Sequence, residues 1–135
     1  MPTNENLRFE IENSSLAPMD LDGFLPGPVT QHRQENGHRG LATDILVGGV
    51  INGAAAGGVS VVLVGLWKAL RRHRERRLQE VRSVPVTVSV DDGKSRVDVA
   101  VELRGDAVEA IQAVEVEMRR ADQGMPQLVR VRFPG

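Results

Sequence analysis

With 135 residues the chain has room for one small domain of about 50 residues beside its longest apolar run, and a second sizeable core is excluded. The net charge of −1 conceals a local excess, because Lys68, Arg71, Arg72, Arg74, Arg76, Arg77 and Arg82 fall within 15 positions against Glu75 and Glu80 alone. Cysteine is absent, which excludes a disulfide framework and thiolate zinc sites.

In chain order, residues 1–12 come first, and in them Leu7, Phe9 and Ile11 alternate with Arg8, Glu10 and Glu12, the pattern of a short strand. Residues 13–41 contain Pro18, Pro26, Pro28, four glycines and many polar side chains, so a loop or a disordered stretch is expected there.

Residues 42–83 form the next unit. From Ile45 to Trp67 run 23 consecutive uncharged residues, followed at once by the basic block. As a helix this run is about 34 Å long, enough to cross a hydrocarbon core of about 30 Å. It begins too late and is too long for a signal peptide. The expectation is a retained single span in the cell membrane. The cations lie on the C-terminal side, with only Arg33 and Arg39 in the 15 residues before the run, which places the C-terminal part in the cytoplasm. Trp67 would rest at headgroup level, with Lys68, Arg71, Arg72, Arg74, Arg76 and Arg77 on anionic headgroups of the membrane lipid.

Within the run Gly49, Gly53 and Gly57 recur every four residues on one helical face, with Asn52 beside them. Such a stripe lets a second helix approach, so self-association through it is one reading; a weakly hydrophobic helix of small residues is the other. Six glycines also make the run a poor helix in water, and the soluble alternative is a pair of short buried helices breaking near Asn52-Gly53 or Gly57-Gly58.

Residues 84–135 change texture. Val84, Val86, Val88 and Val90 alternate with polar residues and proline, Asp91-Asp92-Gly93-Lys94 supplies a turn, and Val97, Val99, Val101 and Leu103 alternate again, which predicts a β-hairpin. Gly105-Asp106 marks a break and a helix cap, and Val108, Ile111, Val114 or Glu115, and Met118 then recur at helical spacing. Asp122-Gln123-Gly124 ends that helix, and Leu128 to Phe133 alternates as a last strand against the hairpin. The fold expected is therefore α+β, one glycine-rich membrane-inserted helix followed by a small ββαβ antiparallel-sheet domain. Whether the strand at 7–12 joins that sheet depends on the apolar run, because a true span would put the two on opposite sides of a bilayer.

An N-terminal strand (Leu7–Ile11), a glycine-rich apolar helix (Gly40–Leu70), Trp67 followed by Arg71-Arg72, strands at Val84–Val90 and Val97–Val101 joined through Asp92-Gly93, and a helix at Asp106–Met118 together resemble the bacterial effector-associated constant component family. The resemblance rests on pattern over most of the chain, with no invariant chemical motif. It implies a non-enzymatic partner of effector proteins, such as caspase-like or trypsin-like peptidases, in bacterial conflict systems. The long proline-rich stretch and the strand after Met118 depart from the family's layout.

No catalytic or cofactor-binding motif stands out. His32, His38 and His73 are the only histidines, and none has a locally paired carboxylate as orienter. His32 and His38, with Glu35 between them, read as solvated polar surface before they read as a metal site. Asp91, Asp92, Asp98 and Glu102 are explained by turn and solvent-facing strand positions. Nucleic acid is the rival partner for the basic block in a soluble or peripheral regulatory domain, but no aromatic residue follows Trp67 within the block to stack on bases.

Overall fold

The alternating apolar residues of the N-terminus end in the interior of a sheet. The computed structural model describes residues 7–12, 18–21, 23–25, 29–34, 44–51, 58–75 and 83–134. Its elements are β1 (Leu7–Glu12), α1 (Pro18–Leu21), β2 (Val29–Gln34), β3 (Asp44–Ile51), α2 (Gly58–Glu75), β4 (Ser83–Asp91), β5 (Arg96–Arg104), α3 (Val108–Arg120) and β6 (Leu128–Arg132). They make an α+β fold on one mixed sheet of six strands in the order β2-β3-β1-β6-β4-β5. Only β1 and β6 run parallel; the other neighbours are antiparallel.

Period-two alternation gives the sheet one apolar face. Leu7, Phe9 and Ile11 of β1, Val84, Val86, Val88 and Val90 of β4, Leu103 of β5, and Val129 and Val131 of β6 are buried in a single cluster. To this cluster α2 contributes Val62, Leu63, Leu66 and Leu70, and α3 contributes Ala110 and Val114. The opposite face carries the other half of β1, β4, β5 and β6, with Arg8, Pro85, Asp98, Ala100, Glu102 and Arg132 exposed.

The apolar run is not one helix. Its first part is strand β3, antiparallel to both β1 and β2, and its second part opens α2. Among the described residues no helix is long and apolar enough to cross a membrane. The physical reason lies in composition: helical glycine costs about 1 kcal/mol each, whereas Ile45, Val47, Val50 and Ile51 are β-branched and suit a strand. Gly48 also fits a strand interior, since a Cβ there would lie 2.6 Å from the carbonyl oxygen of Phe9 on β1.

The stretch 13–41, expected as a loop, holds α1 and β2; residues 13–17, 22, 26–28 and 35–41 lie outside the described residues, as do 76–82 of the basic block. The order strand, strand, helix, strand follows from residue 83 onward, but these four elements are not a separate layer. β6 has β4 on one side and β1 on the other, so the N-terminal strand and the C-terminal elements share one sheet.

Two local devices set the helices and the hairpin. Trp67 is buried, and its indole N–H donates to the Gly105 carbonyl at 2.8 Å, tying α2 to the turn between β5 and α3. At that turn Ala107 takes the position before the helix at φ 66°, and the Asp106 carboxylate accepts the Val108 N–H at 3.1 Å. In the hairpin turn, Asp92 Oδ1 accepts the N–H groups of Lys94 (2.8 Å) and Ser95 (2.7 Å), and Oδ2 accepts that of Gly124 beyond α3 (2.9 Å). Hydrogen bonds from Ser95, Gly124 and Lys94 hold the Asp92 carboxyl at about 2, below its ordinary 3.8.

A carboxyl depressed in the folded state stabilises it above its unfolded value, and that contribution fades as pH falls toward the folded one. Asp92→Asn is therefore expected to lower the melting temperature at pH 7, with the gap between variant and parent closing as pH drops from about 4 to about 2. A gap constant over that window in thermal melts would count against this role. Gly65 gives a second expectation, because a Cβ there would lie 2.5 Å from the Phe24 carbonyl oxygen and 2.7 Å from Leu25 Cδ2, in the segment that follows α1. Gly65→Ala gains about 1 kcal/mol of helix propensity, yet overpacking against a backbone carbonyl costs about 1–3 kcal/mol. A net loss of stability is expected in denaturant unfolding, and a gain would show that the α1 segment yields freely.

Candidate interaction groove

Backbone direction alternates along β4, and two hydrogen bonds fix its phase. The Asp92 N–H donates to the Ser95 carbonyl across the hairpin (3.1 Å), and the Gln127 N–H donates to the Asp91 carbonyl from the β6 side (2.8 Å). Even-numbered residues of β4 therefore face β5, and odd-numbered residues face β6. Pro85 is odd, so the N–H it lacks would have pointed toward β6.

There the ladder stops. Thr87 opposite Arg132 is the last pair of β4 with β6, and the same register continued would set Val86 opposite Phe133 and Pro85 opposite Pro134. Neither proline has an amide to donate, whereas the pairing of β4 with β5 continues through Pro85–Glu102 to Ser83–Arg104. The sheet thus narrows by one strand at this end. The step leaves a groove of about 580 Å³ on the polar face, floored by Pro85, Thr87 and Ala100 and flanked by Arg132, Pro134 and Glu102.

The two walls carry opposite charge. Arg132 Nε donates to Glu12 Oε2 at 3.0 Å, and Arg130 Nε lies 3.4 Å from Oε1 of the same carboxylate. Glu12 is 4% exposed, a buried carboxylate between two guanidinium groups, while the Arg132 side chain stays 63% exposed. Its neighbour Phe133 is buried, and the Phe133 N–H donates to the Glu12 carbonyl at 3.0 Å, so the base of this wall is fixed from both main chain and side chain. Among the described residues no acceptor engages the two terminal nitrogens of Arg132, which suit a carboxylate. Ala100 of β5 lies level with Arg132, two strand spacings or about 10 Å across, and Glu102 stands two residues further along β5, level with Pro134, so the acid and the base sit diagonally over a width that admits an extended chain.

The residues singled out from sequence lie elsewhere. Trp67, expected at headgroup level, is buried in the core with its indole N–H on the Gly105 carbonyl. Lys68, Arg71 and Arg72 are exposed on α2, with the Arg71 guanidinium 5.9 Å from the Trp67 ring centre and that of Arg72 6.0 Å from the Phe24 ring centre. Arg74 is in α2, and Arg76 and Arg77 lie outside the described residues. Gly49 is in β3 opposite Phe9, so it does not belong to a helical stripe; Asn52, Gly53 and Gly57 are outside the described residues. His32 is in β2, His38 is outside the described residues, and His73 of α2 has Nδ1 3.6 Å from Asp20 of α1. Among the described residues no three His, Asp or Glu side chains gather as a metal site.

Sequence reading missed Glu10, Glu12, Arg130 and Arg132. Their signal was available: two acids and two bases, each pair spaced by two on the polar phase of a strand, match when the strands lie side by side. Arg130 meets Glu10 at 2.7 Å across 120 residues of sequence. No family model, curated protein or solved structure matches the chain.

Proposed function

We propose that this protein is a non-enzymatic adaptor that holds an effector protein by an extended segment of it, laid in the groove between Arg132 and Glu102. The observation that carries the reading is the groove itself, a strand-wide step in the sheet with an anchored guanidinium on one wall and a carboxylate on the other. Extended segments are recognised in this way, by a fixed channel with charges that set direction. The class of effector comes from the resemblance to effector-associated constant components, which points to caspase-like or trypsin-like peptidases.

Binding of a peptidase encoded beside this protein's gene, measured by calorimetry, tests the reading. Arg132→Gln, which leaves Arg130 on the buried Glu12, and Glu102→Lys should each weaken binding about tenfold, with the steeper salt dependence in the parent. A peptidase that binds both variants as it binds the parent, or does not bind the parent, contradicts the proposal.

A further inference from the structure

Strand β5 is an edge of the sheet, nine residues long, with no strand beyond it among the described residues. The phase fixed above for β4 fixes β5 as well. Val97, Val99, Val101 and Leu103, opposite the even residues of β4, turn their backbone groups to β4; Arg96, Asp98, Ala100, Glu102 and Arg104 turn theirs outward. Those outward residues are also the exposed ones, and their charges run plus, minus, neutral, minus, plus. The Arg104 carbonyl already accepts the Ala107 N–H at 2.9 Å; the outward groups from Arg96 to Glu102 form the open part of the edge, and such an edge is a template for another strand.

We infer that β5 pairs with β5 of a second copy of this chain, antiparallel across a two-fold axis at Val101. The choice of occupant and register follows from charge. An axis at Ala100 would set Asp98 against Glu102 of the second copy and Arg96 against its Arg104, two kinds of like-charge pair made twice. An axis at Val99 brings Arg96 to Glu102 but also Lys94 to Arg104. With the axis at Val101, Asp98 of each copy faces Arg104 of the other, Ala100 faces Glu102, and Val99 faces Leu103 on the helix-covered face. The interface is isologous, so each favourable pair occurs twice.

The new pairs would exchange exposed partners within each chain, since Asp98 accepts the Ser89 hydroxyl and Arg104 donates to Glu109. Asp98 is 49% exposed beside Arg96, and Arg104 is 55% exposed where it reaches Glu109 of α3. Val97 and Val99 are only partly buried, and a strand alongside would cover them. The surface is distinct from the groove in its backbone groups, since the groove lies over β4 and the pairing uses the outer edge of β5.

Sedimentation equilibrium of the full chain from micromolar to millimolar concentration provides the test. The parent is expected to dimerise; Asp98→Lys or Arg104→Asp alone should raise the dissociation constant about tenfold, and the two together should restore it. Ala100→Pro removes one outward amide and no bond to β4, so it should yield a monomer whose circular dichroism and melting match the parent. Arg132→Gln, which removes the groove's cation while Arg130 stays on the buried Glu12, should leave the dimer unchanged, which separates this inference from effector binding. A parent that stays monomeric throughout overturns the inference, and so does a dimer indifferent to the single reversals or one that the double reversal fails to restore.

Discussion

The position of β1 between β3 and β6 is the constraint on which the rest of the molecule depends. In that place Leu7, Phe9 and Ile11 enter the core, and burying three such side chains contributes roughly 5–9 kcal/mol, comparable with the whole net stability of an ordinary domain. The same strand turns Glu10 and Glu12 to the other face, where they meet Arg130 and Arg132 of the parallel neighbour. Without β1, β6 would be an edge, the guanidinium groups would lose their carboxylates, and β3 would lose one of its two partners.

The charged ladder has a directional effect as well. Glu12 is buried, and breaking a buried carboxylate's pairing is expensive because the remaining charge stays desolvated. This fixes Arg132 at the point where the ladder of β4 and β6 ends, and the two prolines keep the next positions from closing. The groove is therefore a consequence of register. It is formed by where the sheet stops pairing, and its positive wall is set by a strand 120 residues away.

Elements with a clean period were legible from sequence. Val84 to Val90, Val97 to Leu103, the helix around Val114 and the terminal strand all occur where alternation and helical spacing place them, and Asp92-Gly93 forms the turn. The run from Ile45 to Trp67 was not legible, because an almost wholly apolar stretch carries neither period, and its length argued for one helix. What divides it is tertiary: β3 is needed between β1 and β2, and its Gly48 lets the Phe9 carbonyl come close. β2 was hidden for a different reason, since its sequence VTQHRQ carries few apolar residues and sits among prolines and glycines. The groove could not be read without the register, although the paired acids and bases that anchor it stood in plain alternation.

The pairing of β1 with β6 is open to direct measurement because the chain has no cysteine of its own. Glu10 and Arg130 are opposite each other in the parallel register, at a separation a disulfide can bridge. A Glu10→Cys, Arg130→Cys variant is predicted to form an intramolecular disulfide on mild oxidation, as fully as a Thr87→Cys, Ala100→Cys control across the β4–β5 hairpin. A control that closes while the pair at 10 and 130 stays reduced would contradict the account.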